Sequence, residues 1–141
     1  MINGSLEQFL DTGWYSEATL YYRGFSYWCE AQWDDNKIAH FSIYRYPAIN
    51  VNNSYCMRII EEDGSCNEEI IYEIVHPDID YIKKSFLEAE IFDGKCFWKV
   101  ENEIAWLDDN GNVFRKDIQE FLAAVNAHDL SKMKEISSRK K

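Results

Sequence analysis

The stretch Ala18 to Trp33, ATLYYRGFSYWCEAQW, decides the fold. Tyr21, Tyr22, Phe25, Tyr27 and Trp28 make it too aromatic and β-rich for a comfortable helix. The rings fall on both parities, so they cannot all face one side of a flat strand. One side is expected to meet helices; the other shows rings to solvent, to an unrecognised element or to a partner. Gly24 marks a bulge or bend. Downstream, Asp34-Asp35-Asn36 makes a turn and Lys37 to Tyr46 returns. Pro47 is expected to end that run, because it cannot donate to a ladder. Tyr55 to Glu61 then turns through Glu62-Asp63-Gly64-Ser65 into Glu69 to Val75. Strand and tight turn repeated in this order predict an antiparallel meander of about four strands.

Helical signals flank the meander. Ser5 to Leu10 reads as a short helix, with Ser5 as N-cap, Gln8 three residues on and Gly13 as a stop. After His76-Pro77, Asp78 caps a helix with Ile79, Ile82 and Phe86 on one face, and Asp80 favours its first turn. Phe97, Val100, Ile104 and Leu107 step by 3, 4 and 3, which predicts a second helix after Asp93-Gly94. Asp108-Asp109-Asn110-Gly111 turns the chain, and Asn110-Gly111 either joins helices or closes a small hairpin. Ile118, Phe121, Leu122 and Val125 mark a third helix, and Asp129 caps a short fourth that is expected to fray. The expected class is α+β: one domain over 1–141, its sheet packed on one face by three or four helices, mostly C-terminal, with a basic tail over about 129–141.

Composition limits what such a domain does. The 141 residues are 46% hydrophobic and 28% charged, enough for a packed core. A net charge of −10 argues against sequence-independent binding to nucleic acid or to an anionic membrane. No apolar run approaches the roughly 20 residues that span a bilayer, and the first ten residues do not read as a secretory signal. Cys29, Cys56, Cys66 and Cys96 form no C-x-x-C pair and are expected to be reduced thiols in a cytoplasmic protein. His40, His76 and His128 have no second ligand at helical or hairpin spacing, so no metal is expected. Asp78-Ile79-Asp80 has a metal-like spacing but reads better as capping. Asp108 to Asn112 fails as a calcium loop, because the first ligand position falls on Trp106. There is no phosphate-loop, dinucleotide or nucleophile-elbow motif, so neither catalysis nor a cofactor is expected.

Charge is unevenly spread. Residues 1–110 carry 21 acidic against 8 basic side chains; residues 111–141 carry 4 against 7 and end in Arg139-Lys140-Lys141. From Ile59 to Ile82 there are eight carboxylates (Glu61, Glu62, Asp63, Glu68, Glu69, Glu73, Asp78 and Asp80) and no Lys or Arg. Carboxylates this close repel, so a basic partner would relieve them and be steered toward them. The competing expectation is a solvated, aggregation-resistant loop. Tyr and Trp between Trp14 and Tyr46 suit interface anchors, since they bury much area and keep a polar tip.

With Glu61-Glu62-Asp63, Glu68-Glu69 and Asp108-Asp109 as acidic clusters and tyrosines in its strands, the chain resembles the immunity proteins of bacterial contact-dependent and polymorphic toxins. That resemblance lies in general character over the whole chain. It implies a protein without enzymatic activity that blocks a toxin domain, often a basic nuclease, by setting carboxylates around a central aromatic anchor. The expected partner-binding residues are Glu61, Glu62, Asp63, Glu68, Glu69, Glu73, Tyr22, Trp28, Tyr44, Asp108 and Asp109. Three other readings stand beside it. One is a phage-encoded inhibitor of a bacterial defence nuclease. Another is a small-molecule-binding or enzymatic domain using His40 or His76 with Glu73. The last is a subunit of a larger assembly.

Overall fold

Ala18–Trp33 folds as a hairpin. In the computed structural model, which describes residues 1–107 and 109–139, strands β1 (Ala18–Tyr22) and β2 (Phe25–Trp33) pair antiparallel, with Tyr22 opposite Phe25. The two-residue turn needs positive φ at both positions, which Arg23 (44°) and Gly24 (89°) supply. Strand β3 (Ala39–Asn50) runs alongside β2 from Trp33 opposite Ala39 to Phe25 opposite Pro47.

Pro47 does not end β3. The other side of β3 is shared by β5 (Glu69–His76), which reaches Arg45, and β4 (Tyr55–Ile60), which begins at Ala48. Pro47 lies in the gap between these partners, where a missing N–H costs no ladder bond. β4 and β5 therefore do not form the expected hairpin with each other. The turn after β4 closes locally, with the Glu61 N–H donating to Ser65 O at 2.7 Å, and the chain continues to a separate stretch of β3.

The expected helix through Leu107 stops after one turn. Phe97–Val100 forms α3, Glu101–Glu103 a 3-10 turn, and Ala105–Leu107 becomes β6, antiparallel to β1. Phe97, Val100 and Ile104 are buried as their spacing requires, but the open backbone edge of β1 takes the residues that follow. Asn110-Gly111 neither joins helices nor closes a hairpin. It lies inside β7 (Asp109–Phe114), which runs parallel to β4.

The result is α+β, with a seven-stranded mixed sheet of order β6-β1-β2-β3-β4-β7, and with β5 also on β3. The simple four-strand meander is thus replaced by a curled sheet. Its two end strands, β6 and β7, are separated by one residue, so one segment supplies both ends. Inside the curl, Tyr21, Ala48, Cys56, Ala105 and Leu107 pack together, and Asn110 Nδ2 donates to Thr19 Oγ1 at 3.2 Å. At Gly111 an added Cβ would collide with the Tyr55 hydroxyl and lie 3.1 Å from Met57 Sδ. Gly111→Ala is expected to cost about 1–3 kcal/mol, partly recovered in the double variant with Tyr55→Phe, as read from urea midpoints.

Helices lie on the other side of the sheet. On β3, odd-numbered Ala39, Phe41 and Ile43 enter one core cluster and Ile49 packs against a second. Helices α1 (Leu6–Thr12) and α2 (Ile79–Glu88) join α3 over the first cluster, where Phe9, Trp14, Phe41, Phe86 and Phe97 pack. Helices α4 (Ile118–Asn126) and α5 (Leu130–Ser137) cover Met57 and Val113 with Phe121, Ala124 and Ile136. Ser5 and Gln8 form the capping box of α1, Asp78 caps α2 by accepting from the Asp80 N–H, and Asp129 caps α5.

Ion pairs fasten α5. Arg139 reaches Asp117 (3.0 Å), Glu120 (2.8 Å) and Glu135 (2.9 Å), and Lys132 reaches Glu120 at 2.9 Å. Hydrogen bonds from Arg139, then Lys132, hold the Glu120 carboxyl down at about 2 from an ordinary 4.5. Its folded value is the lower one. The stabilisation is therefore complete above the ordinary range and is lost as pH falls through about 2. Acidification from about pH 5 to about pH 2 is expected to lower the melting midpoint less in Glu120→Gln than in the parent chain, measured by circular dichroism.

Candidate functional site

The acidic run does not form one cation-free patch, because the fold brings cations to part of it. Arg115, at the end of β7, makes two hydrogen bonds to Glu61 at 2.8 Å, which hold that carboxyl below its usual range. Arg45 of β3 lies 3.7 Å from Glu69, and Lys83 lies 3.8 Å from Asp80. Asp63 accepts from the Ser65 N–H at 2.9 Å within its turn. Glu62, Glu68 and Glu73 are exposed and make no ion pair with a described residue. Asp108 lies outside the described residues. Asp109 begins β7, and its side chain is likewise outside them.

The expected aromatic anchors separate cleanly. Tyr22 is a core residue: its ring is 1% exposed and packs edge-on against Phe92, so it offers nothing to an outer surface. It sits on the helix-facing side of β1. Trp28 and Tyr44 sit opposite each other on the other side of β2 and β3, and both are half-buried.

These two rings belong to a sheet face that no helix of the described residues covers. Across β2, β3 and β5 the register sets three rows: Trp28–Tyr44–Ile70, Glu30–Ser42–Glu73 and Gln32–His40–Val75. Neighbours within a row are about 5 Å apart at Cβ, near enough to act as one surface. Ile70 is 50% exposed and Val75 57%, large apolar side chains left open to solvent on β5. The bulge where Tyr44 faces Ile70 and Ile43 faces Tyr72 places this pattern. It lets Ile70, Glu73 and Val75 look outward while Tyr72 and Ile74 pack on the core.

One end of this face is closed by Arg58 of β4. Its guanidinium lies 4.8 Å from the Tyr46 ring centre and 5.5 Å from that of Trp28, and Nη2 donates to Asn110 Oδ1 at 2.6 Å. Burial pushes the Tyr46 hydroxyl pKa up, and the Glu68 charge adds to that. Glu68 directly precedes Glu69, which lies opposite Arg45, and so belongs to the same end of the face. At the middle row, Glu30 accepts weakly from the Trp28 indole N–H at 3.4 Å, and Glu73 stands two strands away across the Ser42 hydroxyl.

The histidine-based alternative does not assemble. His40 bonds Asp34 at 3.0 Å, and His76 stacks on Tyr81 while its Nδ1 accepts from the Asp78 N–H. Between sheet and helices the space is filled by rings rather than by a pocket. Of the surface depressions, one of about 520 Å³ is lined by Ile60, Phe114 and Arg139, and one of about 300 Å³ by Tyr55, Phe121, Leu130 and Met133. Among the described residues, no three His, Cys, Asp or Glu side chains gather as a metal-binding group. All four cysteines are free thiols, Cys29 and Cys56 buried, and burial pushes the Cys29 thiol pKa up. No helix of the described residues is long and apolar enough to cross a membrane.

Glu30, Ile70 and Val75 were not among the expected site residues. The parity of Glu30 with Trp28 was legible in the sequence. The outward turn of Ile70 was not, because it follows from the bulge. Comparison of the chain with protein-family models, with curated proteins and with solved structures finds no match.

Proposed function

We propose that this chain is a protein-binding module that docks a basic protein partner on the uncovered face of β2, β3 and β5 and thereby neutralises it, in the manner of an immunity protein acting on a toxin domain. One observation carries the reading. An aromatic and aliphatic row, Trp28–Tyr44–Ile70, lies beside a row with a carboxylate at each end, Glu30 and Glu73, on a face left open in a chain of net charge −10. Apolar area at the centre of such a surface supplies affinity, while carboxylates at its rim speed encounter with a cationic partner and reject an anionic one. Glu68 extends the negative rim. The turn at Glu61, partly neutralised by Arg115, is peripheral in this reading. Four free thiols suit a cytoplasmic setting.

The test is capture by the purified chain from lysate of its source cells, followed by measurement of the purified pair. A basic protein is expected, with an association rate that falls as salt rises, because steering is screened over about 8 Å at physiological ionic strength. Capture of an acidic protein, or association indifferent to both salt and reversal of Glu30 and Glu73, overturns the proposal.

A further inference from the structure

Strand β5 is paired on one side only. Its backbone bonds go to β3, and its outer edge meets no strand of the described residues. The direction of its free groups follows from the register. The Ala48 N–H donates to Gly24 O, on the β2 side, so even-numbered residues of β3 point their backbone groups toward β2. Odd-numbered Ala39 and Phe41 then bond β5 through His76 and Ile74, which leaves the N–H and C=O groups of Glu73 and Val75 on the outer edge. Their side chains are exposed on the uncovered face.

Sheet edges are usually blunted by lysine, proline, a bulge or a covering element. The sequence of β5, EIIYEIVH, has neither lysine nor proline. Its bulge lies near the start, so Tyr72 to His76 remain regular and able to pair. The only full charges on the strand are the carboxylates of Glu69 and Glu73. A second copy of the chain would set one lysine-free acidic strand against another, with −10 on each molecule, so self-pairing is disfavoured. An extended segment bearing lysine or arginine meets the opposite situation.

We infer that β5 is the docking edge for an extended, lysine- or arginine-bearing segment of the partner, added as a further strand beside Glu73 and Val75. The added strand takes the free N–H and C=O groups of both residues. It sets a cationic side chain next to Glu73 and an apolar one next to Val75, widening the uncovered face by one strand. This rests on the basic-partner reading, but it makes a separate claim about the backbone.

The test uses the whole chain, isotope-labelled, and three short synthetic probes: a peptide repeating Lys-Thr-Val-Thr, which sets lysine and valine in turn on one face of a strand, the same peptide with glutamate for lysine, and the lysine peptide with every backbone nitrogen methylated. Exchange of the Glu73 and Val75 amides is followed by NMR. The plain lysine peptide is expected to slow both amides by at least about tenfold; the methylated and glutamate peptides are not. Val75→Pro removes an outward N–H without removing a bond to β3, and is expected to abolish binding that Val75→Thr keeps. Equal protection by the methylated peptide, or unchanged binding by Val75→Pro, overturns strand addition while leaving the basic-partner reading intact. Protection by the glutamate peptide equal to that by the lysine peptide overturns the charge preference, and the basic-partner reading with it. No protection by any of the three overturns the edge as a docking site.

Discussion

Replacing Phe86 by alanine is expected to destabilise the chain by about 3–5 kcal/mol, the range for removing a fully buried phenyl ring. Phe86 is 0% exposed, and its ring lies 6.0 Å from Trp14, 5.5 Å from Phe41 and 5.7 Å from Phe97. It is the point where α2 meets β3 and α3. Removal leaves a void that three rigid rings cannot collapse into without leaving their own contacts. Domains of this size are stable by only about 5–15 kcal/mol, so a loss of this size consumes much of the margin. Urea unfolding with an unchanged slope measures it. Trp28→Ala, where the ring is only half-buried, is expected to cost distinctly less. A Phe86→Ala loss below about 1 kcal/mol would show that the ring cluster is not the core of the fold.

Reversing Glu30 and Glu73 together to lysine is expected to weaken association with the basic partner we propose by about 100-fold at low salt. Close charge pairs across interfaces are worth upward of about 1.5 kcal/mol each, roughly tenfold per site. Most of the change should appear in the association rate, and it should shrink as salt rises. Neither residue anchors the fold: Glu73 is exposed, and Glu30 accepts only the weak 3.4 Å bond from Trp28 among the described residues. The melting midpoint should therefore move little. Surface plasmon resonance across a salt series checks the first expectation and circular dichroism the second. Unchanged affinity with an intact fold would remove the sheet face from the interface.

Legibility differed by element for identifiable reasons. The caps of α1, α2 and α5 were readable because Ser5, Asp78 and Asp129 satisfy backbone groups two or three residues away. Gly24 signals a bulge or bend, but the tightness of the Arg23-Gly24 turn depends on a positive φ at Arg23, for which arginine gives no signal. The segment from Phe97 to Leu107 carries a helical spacing that is satisfied by burial, yet only its first turn is helical. The exposed edge of β1 outcompeted local propensity for Ala105 to Leu107. In the acidic run, residue spacing showed no cation, while Arg115 and Arg45 stand 54 and 24 positions from their partners Glu61 and Glu69.

By itself the amino-acid order determined the α+β class, the helix starts, the strand content of residues 18–75 and the excess of negative charge. Each of these is written in spacings of a few residues or in simple counts. Only the tertiary structure decided which strands pair, that one segment supplies both ends of the curled sheet, which carboxylates acquire cations, and that Trp28, Tyr44, Ile70 and Glu73 share an uncovered face. Those outcomes depend on backbone edges competing for partners far apart in the chain, and on one bulge that reverses the facing of β5.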